Sequence, residues 1–220
     1  MSLKDAIVEP GMEVSIFEGH IKAVTAIIYE PETNTVITGS ADGSIRQWDL
    51  EKQTQVEHFE GHPTLTVNKM YYDNAERLLI SVSSKTAKVW KVTPTSHMEE
   101  QAITARRLQK TITKPIGVIG KGHNDDIISS YYNPRHHILF TAGGDFDKTC
   151  KQWLCNTHKE SGIYERHEHG INFLDFDKDL DLLVTASTKD KICNLWNTDT
   201  GLHVQRIEGW DFDRLSRGLD

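Results

Sequence analysis

A Gly-His pair leading to a tryptophan recurs along this chain. Gly19-His20 leads to Trp48, Gly61-His62 to Trp90, Gly122-His123 to Trp153, and Arg166-His167 to Trp196. The tryptophans step by 42, 63 and 43 residues and the histidines by 42, 61 and 44. One insertion of about 20 residues between the second and third units accounts for the long step in both series. A chain of 220 residues could fill one large domain or two small ones. Four units of like length make a single repeat architecture the simpler reading.

Within each unit the apolar residues fall in strand-length runs separated by turn signals. The first unit reads as strands over 24–29, 35–39, 44–49 and 55–59, with turns at Glu30–Asn34 and Ala41–Gly43. The second gives 67–72, 78–82 and 87–92; the third 127–132, 138–142 and 149–154; the fourth 171–176, 182–186, 192–197 and 202–207. Pro31 and Pro134 fall in the same turn of units one and three, where proline interrupts no ladder. The expected fold class is all-β.

The insertion is placed at 92–115. Its middle, SHMEEQAITARRLQK, carries a capping box at Ser96 and Glu99 and an apolar stripe through Met98, Ala102, Ala105 and Ile112. Glu99 and Glu100 stand at its start and Arg106, Arg107 and Lys110 near its end, which suits a helix dipole. A solvated helical loop and a docking arm are both compatible with that pattern.

Composition narrows the function. Net charge is −7, against a broad nucleic-acid-binding face. No run approaches the roughly 18 apolar residues that a membrane span needs. The N-terminal MSLKDAIVEPGMEV lacks the apolar core of a signal peptide. Three cysteines without close spacing form no disulfide framework. Cys150 and Cys193 each stand three residues before a repeat Trp, where the first two units have Ile45 and Ala87, so small buried sites are expected there. These features point to a cytoplasmic protein, with the nucleus left open, needing no membrane, nucleic acid, metal or cofactor.

A Gly-His start and a Trp or Trp-Asp end at a period of 40–45 residues resembles the WD40 repeat, over residues 13–210. The resemblance implies β-propeller blades, about four here. It divides the chain into a leader (1–12), units at about 13–60, 61–121, 122–165 and 166–210, and a tail (211–220). Because the family's sequence repeats are offset from its blades, Met12–Glu18 would be an orphan outer strand of a preceding blade. Families of this kind form rings of roughly four to eight blades, so the chain is expected to be a segment of a larger propeller. Its open ends would call for self-association or for the remaining blades.

The resemblance also implies a buried structural set in each well-kept blade, made of a loop His, a second-strand Ser or Thr, a turn Asp and a third-strand Trp. These fall on His20, Thr38, Asp42 and Trp48; on His123, Thr141, Asp147 and Trp153; and on His167, Thr185, Asp190 and Trp196. The Asp stands six residues before the Trp in all three. Unit two keeps His62 and Trp90, but Ser84 replaces the Asp and Ser81 meets the Thr position only with a one-residue shift, so blade two is expected to be the loosest.

His, Ser/Thr and Asp are also the residue types of a catalytic triad. Recurrence argues against that use, since an active site is normally built once. The chain also lacks a GxSxG elbow and a Gly-rich phosphate loop. An enzyme or a calcium-dependent module on an acidic turn remains as the alternative. Asp175, Asp177, Asp179 and Asp181 open like a calcium loop, but Leu180 and Ala186 stand where Gly and Glu are required. The preferred function is a non-catalytic scaffold binding a protein or peptide on a propeller face. The family implies contacts just after the Gly-His and just before the turn Asp: Lys22 and Ala41, Thr64 and Leu65, Asn124, Asp125 and Phe146, and Glu168, His169 and Lys189. Phe146, in the lengthened turn GGDFDK, is either an aromatic anchor or a ring folded back over the blade edge.

Overall fold

A computed structural model describes residues 16–92 and 113–209. Sixteen strands form four antiparallel four-stranded sheets, and the described residues contain no helix. Blade one holds β1 (Val24–Glu30), β2 (Thr35–Ser40), β3 (Ile45–Asp49) and β4 (Thr54–Phe59). Blade two holds β5 (Lys69–Asp73), β6 (Leu78–Val82), β7 (Ala87–Lys91) and β8 (Gly117–Ile119). Blade three holds β9 (Ile127–Asn133), β10 (Ile138–Gly143), β11 (Thr149–Leu154) and β12 (Lys159–Glu165). Blade four holds β13 (Phe173–Asp177), β14 (Leu182–Ser187), β15 (Ile192–Asn197) and β16 (His203–Glu208). Each sheet is a simple meander, and the four stand in an arc that does not close into a ring.

Alternation along the strands gives every blade two apolar faces, and these meet between neighbours. Ile37, Ile45 and Phe59 of blade one pack with Met70, Leu79 and Trp90 of blade two. Ile80, Val89 and Ile119 meet Tyr132, Leu139 and Trp153 at the next junction. Phe140, Cys150 and Tyr164 meet Phe176, Leu183 and Trp196 at the last. The second strands are therefore buried on both sides: every residue of β6 and β10 is buried. The outward faces of the terminal blades differ, with Ile27 68% and Tyr29 56% exposed on blade one and Phe173 56% and Val204 54% on blade four.

Several expectations need correction. Ile16–Glu18 form no strand, while residues 12–15 lie outside the described region. The outer edge of β15 is already paired with β16. Phe17 instead rests on Trp48, with ring centroids 5.5 Å apart. His136 and His137 stand in the turn between β9 and β10. His137 has a φ of 53° and reaches Asp73 at 3.0 Å, whereas His136 reaches Asp181 at 3.4 Å. The helical pattern at 96–112 lies outside the described residues. The chain returning from it makes a parallel bridge from Thr113 to Phe59 on the edge of blade one, then supplies β8 to blade two.

Candidate protein-interaction site

The short connections between β2 and β3, and the Gly-His loops between blades, emerge at one end of the arc, because both are connections of the same parity in an antiparallel meander. Their backbones are pinned from beneath. In blade one His20 Nε2 lies 2.8 Å from Thr38 Oγ1, and its Nδ1 lies 3.3 Å from Asp42 and 2.9 Å from Ser44 Oγ. Trp48 Nε1 donates to the same Thr38 hydroxyl at 2.8 Å. In blade three the distances from His123 to Thr141 and Asp147 are 2.7 and 3.0 Å, and Trp153 donates to Thr141 at 2.7 Å. Blade four repeats them at 2.9 and 3.0 Å from His167 to Thr185 and Asp190, with Trp196 donating to Thr185 at 2.9 Å. Each Asp also accepts the backbone N–H of the residue after the His: Ile21 at 2.9 Å, Asn124 at 2.5 Å and Glu168 at 3.0 Å. One carboxylate thus ties the β2–β3 turn to the Gly-His loop.

Blade two departs from this plan. His62 Nε2 meets Ser81 Oγ at 2.6 Å, but Nδ1 meets the hydroxyl of Thr86, not Ser84, at 3.2 Å. The turn is one residue shorter, which carries Ser84 past the ring. Trp90 is fully buried, and its indole N–H finds no acceptor among the described residues. Thr86 escaped the sequence reading, although Ser44 and Thr149 stand at matching places before Trp48 and Trp153.

Burial lowers the pKa of all four histidines. His62, with no carboxylate neighbour, is pushed down to about 4, chiefly by burial and then by the Lys88 charge. For His20, His123 and His167 burial lowers the pKa and outweighs the opposing pull of the paired Asp. Burial alone would raise the carboxyl of Asp147, but hydrogen bonds from Thr149 and His123 leave it below its usual range. The rings are neutral hydrogen-bond bridges near pH 7, with side chains between 0% and 7% exposed where they pair with Asp. No group of three or more His, Cys, Asp or Glu suited to a metal occurs among the described residues. In the DFDKDLD stretch Asp177 instead accepts the N–H groups of Asp179 and Leu180 at the β13–β14 turn.

Above these sets lies a contoured rim. Lys22, Thr64, Asn124, Phe146, Glu168, His169 and Lys189 are exposed, and Ala41, Leu65 and Asp125 are half-buried. Phe146 is 85% exposed, so its ring does not fold back over the blade. Its backbone N–H donates to Asp125 at 3.1 Å, a bond that holds the Asp125 carboxyl below its usual range. Neighbouring loops are cross-tied. Asp145 pairs with Lys189 and accepts the Gly170 N–H at 2.9 Å, while Lys85 pairs with Asp126. His169 reaches Asp190 at 2.6 Å. Asp145, Asp126 and Lys85 were not predicted as site residues, since their roles arise only where two blades meet.

The family model for the WD domain, G-beta repeat, matches residues 11–49, 53–91, 113–153 and 158–197. Among curated proteins the chain is similar to Periodic tryptophan protein 2 of Arabidopsis thaliana, at 24% identity over 87% of this chain and 24% of that protein. It is 31% identical to a Ribosome biogenesis protein WDR12 homolog of Trichoplax adhaerens over 61% of this chain and 34% of that one. It is 24% identical to Eukaryotic translation initiation factor 3 subunit I of Nematostella vectensis over 89% and 56%. The chain thus spans between a quarter and just over half the length of these relatives. The crystal structure of the computationally designed Ika8 protein matches with a TM-score of 0.67 at 22% identity, covering 88% of this chain and 51% of that one. Four meander sheets, their recurring His–Thr–Asp–Trp bridges and matches over more than half the sequence agree: the chain belongs to the WD40-repeat family.

Proposed function

We propose that this chain is a non-catalytic scaffold that binds a protein or peptide across the Gly-His face. WD40 repeats serve in general as interaction scaffolds, and the relatives include a factor of ribosome biogenesis and a subunit of a translation initiation factor. The observation that carries the reading is Phe146: an aromatic side chain 85% exposed, on a turn fastened through Asp125 and Asp145 to its neighbours. Aromatic anchors dominate interface energetics, and truncating one costs about 2 kcal/mol or more of binding. Around it Lys22, Ala41, Thr64, Leu65, Asn124, Asp125, Glu168, His169 and Lys189 form the rim of the docking surface. The histidines below are held as neutral bridges and serve as structure rather than as bases. Three buried reduced cysteines suit a cytoplasmic or nuclear compartment.

Phe146→Ala tests the reading through two measurements on the same protein. Partner recovery in affinity purification should fall at least about tenfold, the equivalent of roughly 1.4 kcal/mol, with an unchanged melting temperature. Full recovery from the variant, or a lower melt with recovery intact, contradicts the anchor role.

A further inference from the structure

The junctions between blades repeat one polar device at the ends of their inner strands. Glu30, Asp73, Asn133 and Asp177 occupy one register position, opposite Thr35, Leu78, Ile138 and Leu182. One side-chain oxygen of each accepts an N–H of the following turn, from Glu32, Glu76, Arg135 and Asp179 at 2.9–3.0 Å. Across the second junction the other oxygen of Asp73 accepts the hydroxyl of Tyr132 at 2.7 Å. Tyr29, Tyr72, Tyr132 and Phe176 in turn share one position, opposite Val36, Leu79, Leu139 and Leu183. At the first junction Glu30 lies near Tyr72, whose pKa is pushed up to about 12 by burial and then by that carboxylate. At the third junction the aromatic is Phe176, without a hydroxyl; the acid is replaced by Asn133, whose amide nitrogen is buried with no partner among the described residues. An acid therefore precedes a tyrosine, and an amide precedes a phenylalanine. The series leaves two members over: Asp177, exposed on blade four, and Tyr29, 56% exposed on blade one.

The apolar positions tell the same story. Ile37, Ile80 and Phe140, each 0% exposed, fill the centres of the three junctions. Val184 holds that register place on the free face of blade four and is half-buried. Phe59, Ile119 and Tyr164, each 1% exposed, stand against Trp90, Trp153 and Trp196 of the following blade. Ile207 is their half-buried counterpart, and Trp48 is the tryptophan left without a preceding blade. The arc shares its fold with 51% of the designed Ika8 chain, and two arcs of four blades make eight, within the roughly four to eight blades of closed propellers.

We propose that the two free faces bind each other between copies, blade four of each docking on blade one of the other and closing a two-fold ring of eight blades. Asp177 meets Tyr29 as Asp73 meets Tyr132, and Ile207 meets Trp48. A head-to-tail contact of this kind gives a closed ring when its rotation closes and an open filament when it does not. The blade-to-blade rotation is set by the three internal junctions, which the new contact repeats. Phe17 now covers Trp48 as Phe59 covers Trp90, in a Phe-Glu-Gly-His stretch that both segments share. It competes with Ile207 of the second copy and so restrains closure.

Analytical ultracentrifugation of the full 220-residue chain and three variants tests this. Wild type should show a monomer–dimer equilibrium and no larger species. Tyr29→Lys and Asp177→Lys, both at exposed side chains, should each weaken the dimer at least about tenfold. Tyr29→Lys should leave the melt of the monomer unchanged, while Asp177→Lys should lower it only by the loss of the acceptor for the Asp179 and Leu180 N–H groups. Phe17→Ala should strengthen it. A monomer at every concentration, Phe17→Ala included, overturns the proposal and leaves these faces to further blades. A ladder of species beyond the dimer, or a dimer indifferent to both lysine variants, overturns it equally.

Discussion

Asp147 shows what a single carboxylate does in this fold. One oxygen meets the His123 ring and the Thr149 backbone N–H, and the other takes the Asn124 N–H. Asp147→Ala leaves the buried His123 Nδ1 unpaired and frees two loops, so stability should fall by about 1–3 kcal/mol. Ser84→Ala should change it by under about 0.5 kcal/mol, because His62 leans on Thr86 instead. Denaturant melts of the two variants check this, and equal shifts count against the assignment of the sets as structural. The histidines make a second test. A ring whose pKa is depressed on folding binds protons more tightly when unfolded, so stability is fully present above about pH 6.5 and drains as pH falls toward the folded value. For His62, lowered to about 4, the difference is worth about 3 kcal/mol, and the other three histidines act in the same direction. Melting temperature should therefore drop steadily between about pH 7 and pH 5, above the range in which the carboxylates protonate. A flat profile there would mean that the rings are not buried as neutral bridges.

At the scale of the blade, the Gly of the Gly-His pair has a packing reason in unit two. A Cβ on Gly61 would stand 1.9 Å from the Gly43 carbonyl oxygen, where the His62 N–H bonds the same oxygen at 2.7 Å. The loop entering blade two thus lies directly on the β2–β3 turn of blade one. Gly61→Ala should cost about 2 kcal/mol or more, in the range of other overpacked buried sites. Gly201→Ala, with φ at 69° and open space around it, should cost about 1 kcal/mol from backbone conformation alone. Thermal melts separate the two. The same comparison shows what the sequence can and cannot display. Strand order, the His–Trp spacing and the three Asp positions are periodic, so one chain carries its own alignment. The position of β8 was not legible, because the insertion separates it from its sheet and it is three residues long. Thr86 hid behind a shortened turn. The cross-ties of Asp145 to Lys189 and of Asp126 to Lys85 join residues whose proximity depends on blade stacking, which no local pattern encodes.

For the whole molecule, blade two sits between two neighbours with β6 buried throughout, which offsets its missing carboxylate and its unpaired Trp90 N–H. The terminal blades each have one neighbour, and stacking, not the local sets, sets their order of stability. The two ends of the arc differ too. The Gly-His end carries pinned turns and the exposed Phe146, while the opposite end carries the acid-capped turns of the inner strands. Hydrogen–deuterium exchange of the chain with and without its captured partner reads the choice of face directly. Protection on binding should fall on residues 40–44, 62–66, 122–126, 144–148 and 167–170. Protection confined to 30–34, 74–77, 134–137 and 178–181, with the Gly-His loops unchanged, would contradict it.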